Sequence, residues 1–184
     1  WNSLDGYLKK NKIKPCTLCG TFRRYLLNKK ARELHGSKIA TGHNLDDESQ
    51  AIMMNFLRGS PSQSARLGPI AGIIKDKKFV PRIKPLYLCP EKEVAIYTYL
   101  MKFGVKYDEC PYVGKSFRYS VQEQLNKFEK EHKGTKLNIV KTFLEELPKF
   151  KKVYATDKEL KICSCGEPSA TDECKACKIL KCLT

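Results

Sequence analysis

The chain has 184 residues, which is enough for one domain with a hydrophobic core and a small additional unit. Hydrophobic residues make up 41 % of it, which argues against disorder, and no apolar run approaches the roughly 20 residues that a membrane span requires. The net charge of +15 favours a polyanionic partner, most commonly a nucleic acid, over a lysine-rich surface that serves solubility alone.

The first half of the chain is predicted to contain helices separated by a strand. Phe22, Leu26 and Leu34 share one helical face with Tyr25. Gly36 and Gly59 suit the ends of two helices. In chain order, the predicted elements are a helix over 21–35, a strand over 38–41, a turn over 42–44 and a helix over 45–58.

The second half is predicted to be mainly helical after one extended segment. Pro90 suits the first turn of a helix, and Gly134 separates two later helices. Pro81 and Pro85 place the extended segment at the edge of a sheet. The predicted elements are a loop over 60–72, the extended segment over 79–86, helices over 90–103, 117–132 and 135–147, a loop over 104–115 that contains Cys110, and a charged linker over 151–161.

Strands that alternate with helices predict an α/β fold with a largely parallel sheet. Ligands of such sheets bind beyond the carboxyl ends of the strands, and the strand that ends at Thr41 delivers residues 42–48 to that edge. Residues 162–184 are too few and too rich in cysteine to fold without metal. We therefore expect a main α/β domain over residues 1–155 and a small metal-binding finger over residues 156–184.

The nine cysteines indicate metal binding rather than a disulfide framework. An odd number cannot pair completely, and most of these cysteines cluster at the spacings of metal ligands, which is typical of a reducing cytoplasm. The sequence begins at Trp1 and shows no secretory signal. We therefore expect a cytoplasmic protein, and a chain that begins inside a longer one.

The first motif is the Cys16-x-x-Cys19 pair at the start of a helix, where the helix dipole favours thiolates. The pair could be a redox dithiol, half of a zinc site or part of an iron–sulfur site. Three thiolates suit a 4Fe–4S cluster that has one iron open, and Cys110, followed by Pro111 in a loop, is the candidate third ligand. The competing interpretation is that Cys110 is an ordinary loop cysteine, and spacing alone leaves both open.

The second motif is acidic and follows the predicted strand, because residues 42–48 read Gly-His-Asn-Leu-Asp-Asp-Glu. One interpretation is a well-capped helix, since Asn44 is a good N-cap and acids favour the first turn. The other uses the position at the strand end, where the acids could hold Mg²⁺ on a nucleotide or act on substrate. The residues alone do not decide between the two.

The third motif consists of two close cysteine pairs in the tail: Cys163 and Cys165, then Cys174 and Cys177. Four thiolates close the coordination sphere of Zn²⁺, so the pattern predicts a structural zinc site. The first pair is one residue closer than the usual spacing, and Cys182 could replace one ligand. Cys89 has no partner in sequence, and we expect it in the core.

Taken together, the motifs resemble the tRNA 2-thiouridine synthetases of archaea and bacteria and their eukaryotic cytosolic relatives. The resemblance covers nearly the whole chain, and besides the tail cysteines it rests on the segments Pro15-Cys-Thr-Leu-Cys-Gly20, Thr41-Gly-His-Asn-Leu-Asp-Asp-Glu48, Lys84-Pro-Leu-Tyr87 and Glu109-Cys-Pro-Tyr112. It implies the N-type ATP pyrophosphatase fold, which is Rossmann-like and of the adenine nucleotide alpha-hydrolase type. It also implies a helical extension and a C-terminal zinc finger.

The resemblance further implies that the protein is an ATP-dependent tRNA sulfurtransferase. In that reaction, ATP adenylates the C2 oxygen of a tRNA uridine, and sulfur then displaces the adenylate. The sulfur would be delivered at a 4Fe–4S cluster held by Cys16, Cys19 and Cys110. The tail finger would hold Zn²⁺.

Further site residues follow from the same resemblance. Asp47 matches a catalytic acid, and Gly42 and His43 belong to the cofactor-binding segment. Arg23 stands where some members have a catalytic lysine, although arginine cannot carry a proton near neutral pH. The family also has an N-terminal zinc finger and a phosphate loop of the Ser-Gly-Gly-x-Asp-Ser type. Neither is present here, so we expect an N-terminally truncated catalytic domain, inactive alone, that binds ATP with Mg²⁺ only together with an upstream region.

The expected partners are tRNA, ATP and a sulfur donor, which is sulfide or a ubiquitin-like sulfur carrier protein. A homodimer is implied by the resemblance alone, and no membrane is expected. Three alternatives remain open: a non-catalytic zinc-containing RNA-binding module, an electron-transfer iron–sulfur protein, and a thiolation mechanism with a persulfide on Cys110 that Cys16 or Cys19 resolves.

Overall fold

The computed structural model describes residues 14–72, 79–106, 108, 110–112, 116–155 and 160–181. The chain divides into two units. One, which we call the tail unit, joins the segment up to Ile39 and residues 75–81 to the tail from Thr156 onward. The other, the helical unit, contains residues 40–74 and 82–155. The predicted functional domains, 1–155 and 156–184, stay a prediction.

The first helix, α1, spans Pro15–Glu33 and lies in the tail unit. Proline at the first helical position is preorganised for a helix, so α1 begins before Cys16 and not at residue 21 as predicted. Leu26 and Leu34, which were predicted to lie on its apolar face, are 58 % and 70 % exposed. That prediction is wrong because α1 turns a partly polar face inward, consisting of Leu18, Gly20, Thr21 and Asn28.

Two short strands form a parallel pair, in which β1 spans Ile39–Ala40 and β2 spans Arg82–Ile83. The backbone hydrogen bonds advance in the same direction along both strands: Ile39 N donates to Pro81 O at 2.8 Å, and Thr41 N donates to Ile83 O at 3.0 Å. The α/β class is thus confirmed, but both strands are shorter than predicted. Prolines on both sides of β2 lack the N–H group that a longer ladder requires.

The described part of the helical unit consists mainly of helices: α2 (Leu45–Leu57), α3 (Pro61–Ser64), α4 (Glu91–Leu100), α5 (Phe117–Glu131) and α6 (Thr135–Val153). α2 packs against both α5 and α6. The core of the unit consists of Leu45, Ile52, Tyr87, Val140, Phe143 and Leu147. Burying an aliphatic side chain or a phenylalanine contributes about 1.5–3 kcal/mol. The helices predicted over 45–58 and 117–132 are confirmed, each ending one residue earlier.

α6 continues to Val153, past its predicted end at residue 147. Pro148 lies inside it and cannot donate a backbone hydrogen bond. Phe150 nevertheless packs on the core and stacks on Phe143, with ring centroids 5.9 Å apart. This contact stabilises the last turns of α6, so the predicted linker over 151–161 begins as helix. Residues 156–159 of that linker lie outside the described residues.

α4 carries apolar side chains that face solvent. None of its 10 residues, all of them described, is buried. Tyr97, Tyr99 and Leu100 are 57 %, 81 % and 69 % exposed, and the helix ends before residue 103, its predicted end. α4 therefore presents an exposed apolar surface.

The tail folds as a small hairpin followed by a helix. β3 (Lys161–Ile162) pairs antiparallel with β4 (Pro168–Ser169), and α7 spans Lys175–Lys181. α7 packs against α1 within the tail unit. Throughout the described ranges, no helix has the length and apolar character needed to cross a membrane.

Candidate functional site

The four predicted zinc ligands of the tail converge on one point. All the Sγ atoms of Cys163, Cys165, Cys174 and Cys177, which we call the quartet, lie within 4.8 Å of one another, and those of Cys165 and Cys174 are 3.7 Å apart. Zn–S bonds of about 2.3 Å in a tetrahedron place sulfur atoms about 3.8 Å apart, so the quartet fits a single ion. A 4Fe–4S cluster would bind each thiolate on a different iron, which requires a wider spacing. The quartet is therefore a candidate closed zinc site.

The turn between β3 and β4 shapes the chain around these sulfur atoms. Gly166 has a φ of 82°, a left-handed conformation that glycine adopts without strain, and its N–H donates to Cys163 O at 2.8 Å. This turn accommodates the short Cys-x-Cys spacing. Hydrogen bonds from the backbone of Cys174 and Cys165 lower the pKa of the Cys163 thiol to about 6. Burial raises the pKa of Cys174, and a hydrogen bond with the Cys165 side chain raises the pKa of Cys177, so a metal ion must displace protons from these thiols when it binds.

Aromatic side chains of α1 pack against the quartet. Phe22 and Tyr25 both contact it, and they are partly buried there. Burial, together with a hydrogen bond to the Cys165 side chain, raises the pKa of Tyr25 to about 12, so its hydroxyl stays protonated at neutral pH. These rings shield the sulfur atoms from water. Sequence reasoning missed this role, because both residues fit an ordinary apolar helix face.

The predicted cluster ligands do not gather within either unit. Cys16 and Cys19 are exposed in the first turns of α1, in the tail unit, whereas Cys110 is exposed in the helical unit. Arg23 is also exposed and follows the two cysteines on the same side of α1. Glu109, part of the motif around Cys110, lies outside the described residues. The three cysteines stay a predicted ligand set.

The acidic segment begins α2 with a complete capping box. Asn44 Oδ1 accepts from Asp47 N at 3.0 Å, and Asp47 Oδ2 accepts from Asn44 N at 3.3 Å. The capping interpretation is therefore confirmed. However, 36 % of the Asp47 side chain is exposed, and its second oxygen lies 3.4 Å from Arg118 Nη1. Capping occupies one oxygen and leaves the carboxylate accessible.

The predicted cofactor-binding residues Gly42 and His43 lie just beyond the end of β1, and both are exposed. A Cβ atom added to Gly42 would meet no atom within 4 Å, so the backbone is open to an approaching ligand. His43 Nδ1 lies 2.9 Å from Thr41 Oγ1. Their role in binding a cofactor stays a prediction.

The two acids that flank Asp47 are buried in ion pairs. Asp46 pairs with Lys136, and its Oδ2 accepts from Glu91 N at 2.7 Å. Glu48 Oε1 lies 2.6 Å from Lys84 Nζ, with 2 % of the Glu48 side chain exposed. Burial, reinforced by the charges of the neighbouring aspartates, raises the pKa of Glu91. Of the three acids in the first turn of α2, only Asp47 remains accessible to a ligand.

The fold and these sites define an α/β protein with a candidate zinc centre and a second, exposed cysteine pair. No family model matches the chain. Over 174 residues it is 37 % identical to tRNA 2-thiolation protein NcsA of Haloferax volcanii, covering 90 % of this chain and 54 % of that protein. Over 172 residues it is 37 % identical to tRNA-5-methyluridine(54) 2-sulfurtransferase of Pyrococcus horikoshii, covering 92 % and 54 %.

A solved structure also matches, that of the U34-tRNA thiolase NcsA from Methanococcus maripaludis with its 4Fe–4S cluster. The TM-score is 0.74 and the identity 38 %, over 93 % of this chain and 54 % of that one. The chain belongs to the family of these tRNA 2-thiolation proteins, and it spans about half the length of the relatives that it matches. The resemblance inferred from the sequence motifs is thereby confirmed.

Replacing Cys163 by serine should remove the metal of the tail. Three thiolates leave the tetrahedron open, so we expect zinc to fall from about one ion per chain to less than about 0.2. Elemental analysis of the intact protein, after dialysis against a mild chelator, measures the change. Cys89→Ser alters a half-buried cysteine outside the quartet and should leave zinc in place.

Two results would contradict the zinc assignment. One is wild-type protein without stoichiometric zinc. The other is a loss of zinc that follows Cys182→Ser and not Cys163→Ser, since Cys182 is the alternative ligand and lies outside the described residues.

Proposed function

We propose that the chain is the part of a cytoplasmic tRNA 2-thiouridine synthetase that carries its sulfur-transfer chemistry. The observation that supports this most is the likeness, in sequence and fold, to a solved tRNA thiolase that holds a 4Fe–4S cluster. The net charge of +15 fits tRNA as the substrate, because lysine and arginine contacts to phosphates release counterions.

The proposed reaction exchanges oxygen for sulfur at C2 of a tRNA uridine. ATP, with Mg²⁺, transfers AMP to the C2 oxygen and releases pyrophosphate. Sulfide then adds at C2, and AMP leaves with the oxygen. The phosphate loop of an N-type ATP pyrophosphatase would come from the part of the protein that this chain does not span. We propose that the whole enzyme is a homodimer supplied by sulfide or by a ubiquitin-like sulfur carrier protein.

Cys16, Cys19 and Cys110 are the residues that we propose as cluster ligands. All three thiols are exposed. Two of them lie in the first turns of α1, three residues apart on its exposed side. Three ligands leave one iron open, and the cluster when bound would supply a position for the incoming sulfide.

Asp47 is the acid that we propose to act on the substrate or its Mg²⁺. Its two neighbours in the first turn of α2 are committed to buried ion pairs, whereas its own carboxylate is accessible. Arg118 orients that carboxylate from one side. Arg23 stays charged at neutral pH, and we propose that it binds phosphate and transfers no proton.

Two other functions have some support. A persulfide on Cys110 could carry the sulfur if a donor protein persulfide transferred its outer sulfur to that exposed thiol. Cys16 or Cys19 would then form a disulfide with Cys110 as the sulfur leaves for C2, and a reductant would restore the thiols. A non-catalytic zinc-containing RNA-binding module is favoured by the quartet, which needs no catalytic partner.

A thiolation assay with the full-length protein tests the proposal. Under anaerobic conditions, protein with tRNA, ATP, Mg²⁺ and sulfide should form 2-thiouridine, which nucleoside mass spectrometry detects. Omitting ATP should remove the product, because the C2 oxygen of uridine is a poor leaving group until it is adenylated. Product formed equally by iron-free protein would show that sulfide reaches C2 without the cluster and would contradict the role proposed for it. Binding of tRNA without product would favour the RNA-binding module and contradict the proposal.

A further inference from the structure

Glu167 joins the quartet to α1 through charge-assisted hydrogen bonds. It lies between the two cysteine pairs of the tail, and 12 % of its side chain is exposed. Asn28 Nδ2 lies 3.0 Å from each of its carboxylate oxygens, and Arg32 Nη1 donates to Oε2 at 3.0 Å. Asn28 is itself buried and accepts, through Oδ1, from Val80 N at 3.2 Å. The metal-binding tail is therefore tied to the second half of α1 by bonds that are stronger than neutral ones.

The two sets of cysteines lie on opposite faces of α1. The face towards the tail follows helical spacing and consists of Leu18, Thr21, Tyr25, Asn28 and Arg32. About half a turn away, an exposed stripe consists of Cys16, Cys19, Arg23 and Lys30. One side of the helix thus binds the tail, and the other presents the two thiols to solvent.

The apolar burial of α1 is concentrated at Leu18 and at the two rings that pack on the quartet, Phe22 and Tyr25. Leu26, Leu27 and Leu34 are all exposed. A helix of this length is only marginally stable in water without tertiary contacts. The contacts with the quartet and with Glu167 therefore restrain α1 within the tail unit.

We infer that the quartet and Glu167 position Cys16 and Cys19 for the iron–sulfur cluster by holding α1 in place. The zinc site would then be a positioning element for the iron site, although the two metals share no ligand. This inference rests on the proposed function, which assigns the cluster to these cysteines.

Glu167→Gln in the intact protein tests the inference. Glutamine keeps the size but turns one acceptor oxygen into an NH₂ group, and it loses the charge that pairs with Arg32. We expect zinc content to stay the same, since no ligand changes. Amide hydrogen exchange across Pro15–Glu33 and iron loss to a chelator should each become about ten-fold faster.

Asp172→Asn is the matched control, because Asp172 also belongs to the tail but pairs with Lys161 and is 88 % exposed. It should match the wild type in all three measurements. Arg32→Gln removes the same ion pair by changing α1 and leaves the tail unaltered. If Glu167→Gln loses zinc, hydrogen exchange and iron loss in Arg32→Gln decide whether the ion pair positions α1. Unchanged exchange of α1 in both variants, or faster exchange with wild-type iron retention, would overturn the inference.

If wild-type protein binds no iron, the proposed function is contradicted. The restraint of α1 by the quartet and Glu167 can still be tested. In that protein, the alkylation rates of Cys16 and Cys19 report their positioning directly. Rates that respond to zinc removal and to Glu167→Gln would support the hold on α1. Rates that respond to neither would overturn it.

Discussion

Replacing Cys16, Cys19 or Cys110 by alanine, one at a time, should abolish the iron–sulfur cluster. Each thiolate would hold a different iron, and two remaining ligands attach a cluster poorly. We expect brown anaerobic protein with about four irons per chain to become colourless, with iron reduced about ten-fold or more, and thiolation to fall with it. Iron and acid-labile sulfide analysis, together with the visible spectrum, measures the change.

Cys89→Ala is the control, because Cys89 is half-buried and belongs to no predicted ligand set. It should keep both colour and iron. Wild-type protein that contains zinc but no iron after anaerobic reconstitution would show that the cluster assignment is wrong. Undiminished thiolation by an iron-free Cys16→Ala variant would show that the reaction does not require the cluster.

Asp47→Asn in the full-length protein should reduce 2-thiouridine formation by about 100-fold or more while leaving the fold intact. Asparagine retains an oxygen that accepts from Asn44 N, so the helix cap loses at most about 1 kcal/mol. It lacks the negative charge, and with it the capacity to hold Mg²⁺ or take a proton. Thiolation rates and thermal unfolding, measured on the same preparations, separate the two effects.

The converse variant, Asn44→Ala, removes the acceptor for Asp47 N but keeps the carboxylate. It should lower the free energy of unfolding by about 1 kcal/mol and leave thiolation within a few-fold of wild type. Similar thiolation rates for the two variants would mean that Asp47 is only a cap. Asp46→Asn is unsuitable as a control, because breaking its buried ion pair with Lys136 would cost about 3–5 kcal/mol.

Local signals in the sequence were sufficient to predict most helices of the helical unit. Asn44 caps α2 as predicted, and the apolar spacing carries that helix to Leu57. Gly134, with a φ of 89°, separates α5 from α6. Each of these features depends on residues within one or two helical turns, which is the range over which capping and periodicity act.

Long-range contacts could not be predicted in the same way. Asp46 and Asp47 are equivalent as first-turn acids. However, the ion pair with Lys136, which lies 90 positions after Asp46 in the chain, is made by Asp46 and not by Asp47. Leu26 and Leu34 continue an apolar pattern on α1, yet both are exposed, because the face of α1 that contacts the tail carries Tyr25, Asn28 and Arg32 instead. Whether an acid or a leucine is buried or exposed depends on contacts between segments that are distant in the sequence.

The quartet illustrates both what could be predicted from the sequence and what could not. Its ligands could be predicted, because the spacing within each cysteine pair is a local property. The attachment of the tail to α1 could not, because the contact between Glu167 and Asn28 joins positions 139 residues apart. Sequence reasoning therefore predicted which cysteines come together and missed the helix against which they pack.

Because α4 exposes apolar side chains, the salt concentration has two opposing effects on the protein in solution. In about 0.1 M salt, the net charge of +15 keeps molecules apart, because electrostatic repulsion reaches over about 10 Å. In about 1 M salt, which strips nucleic acid from basic proteins, that reach falls to about 3 Å. Tyr99 and Leu100 of neighbouring molecules can then come into contact. Salt strong enough to release nucleic acid from a basic protein therefore also favours aggregation of this one.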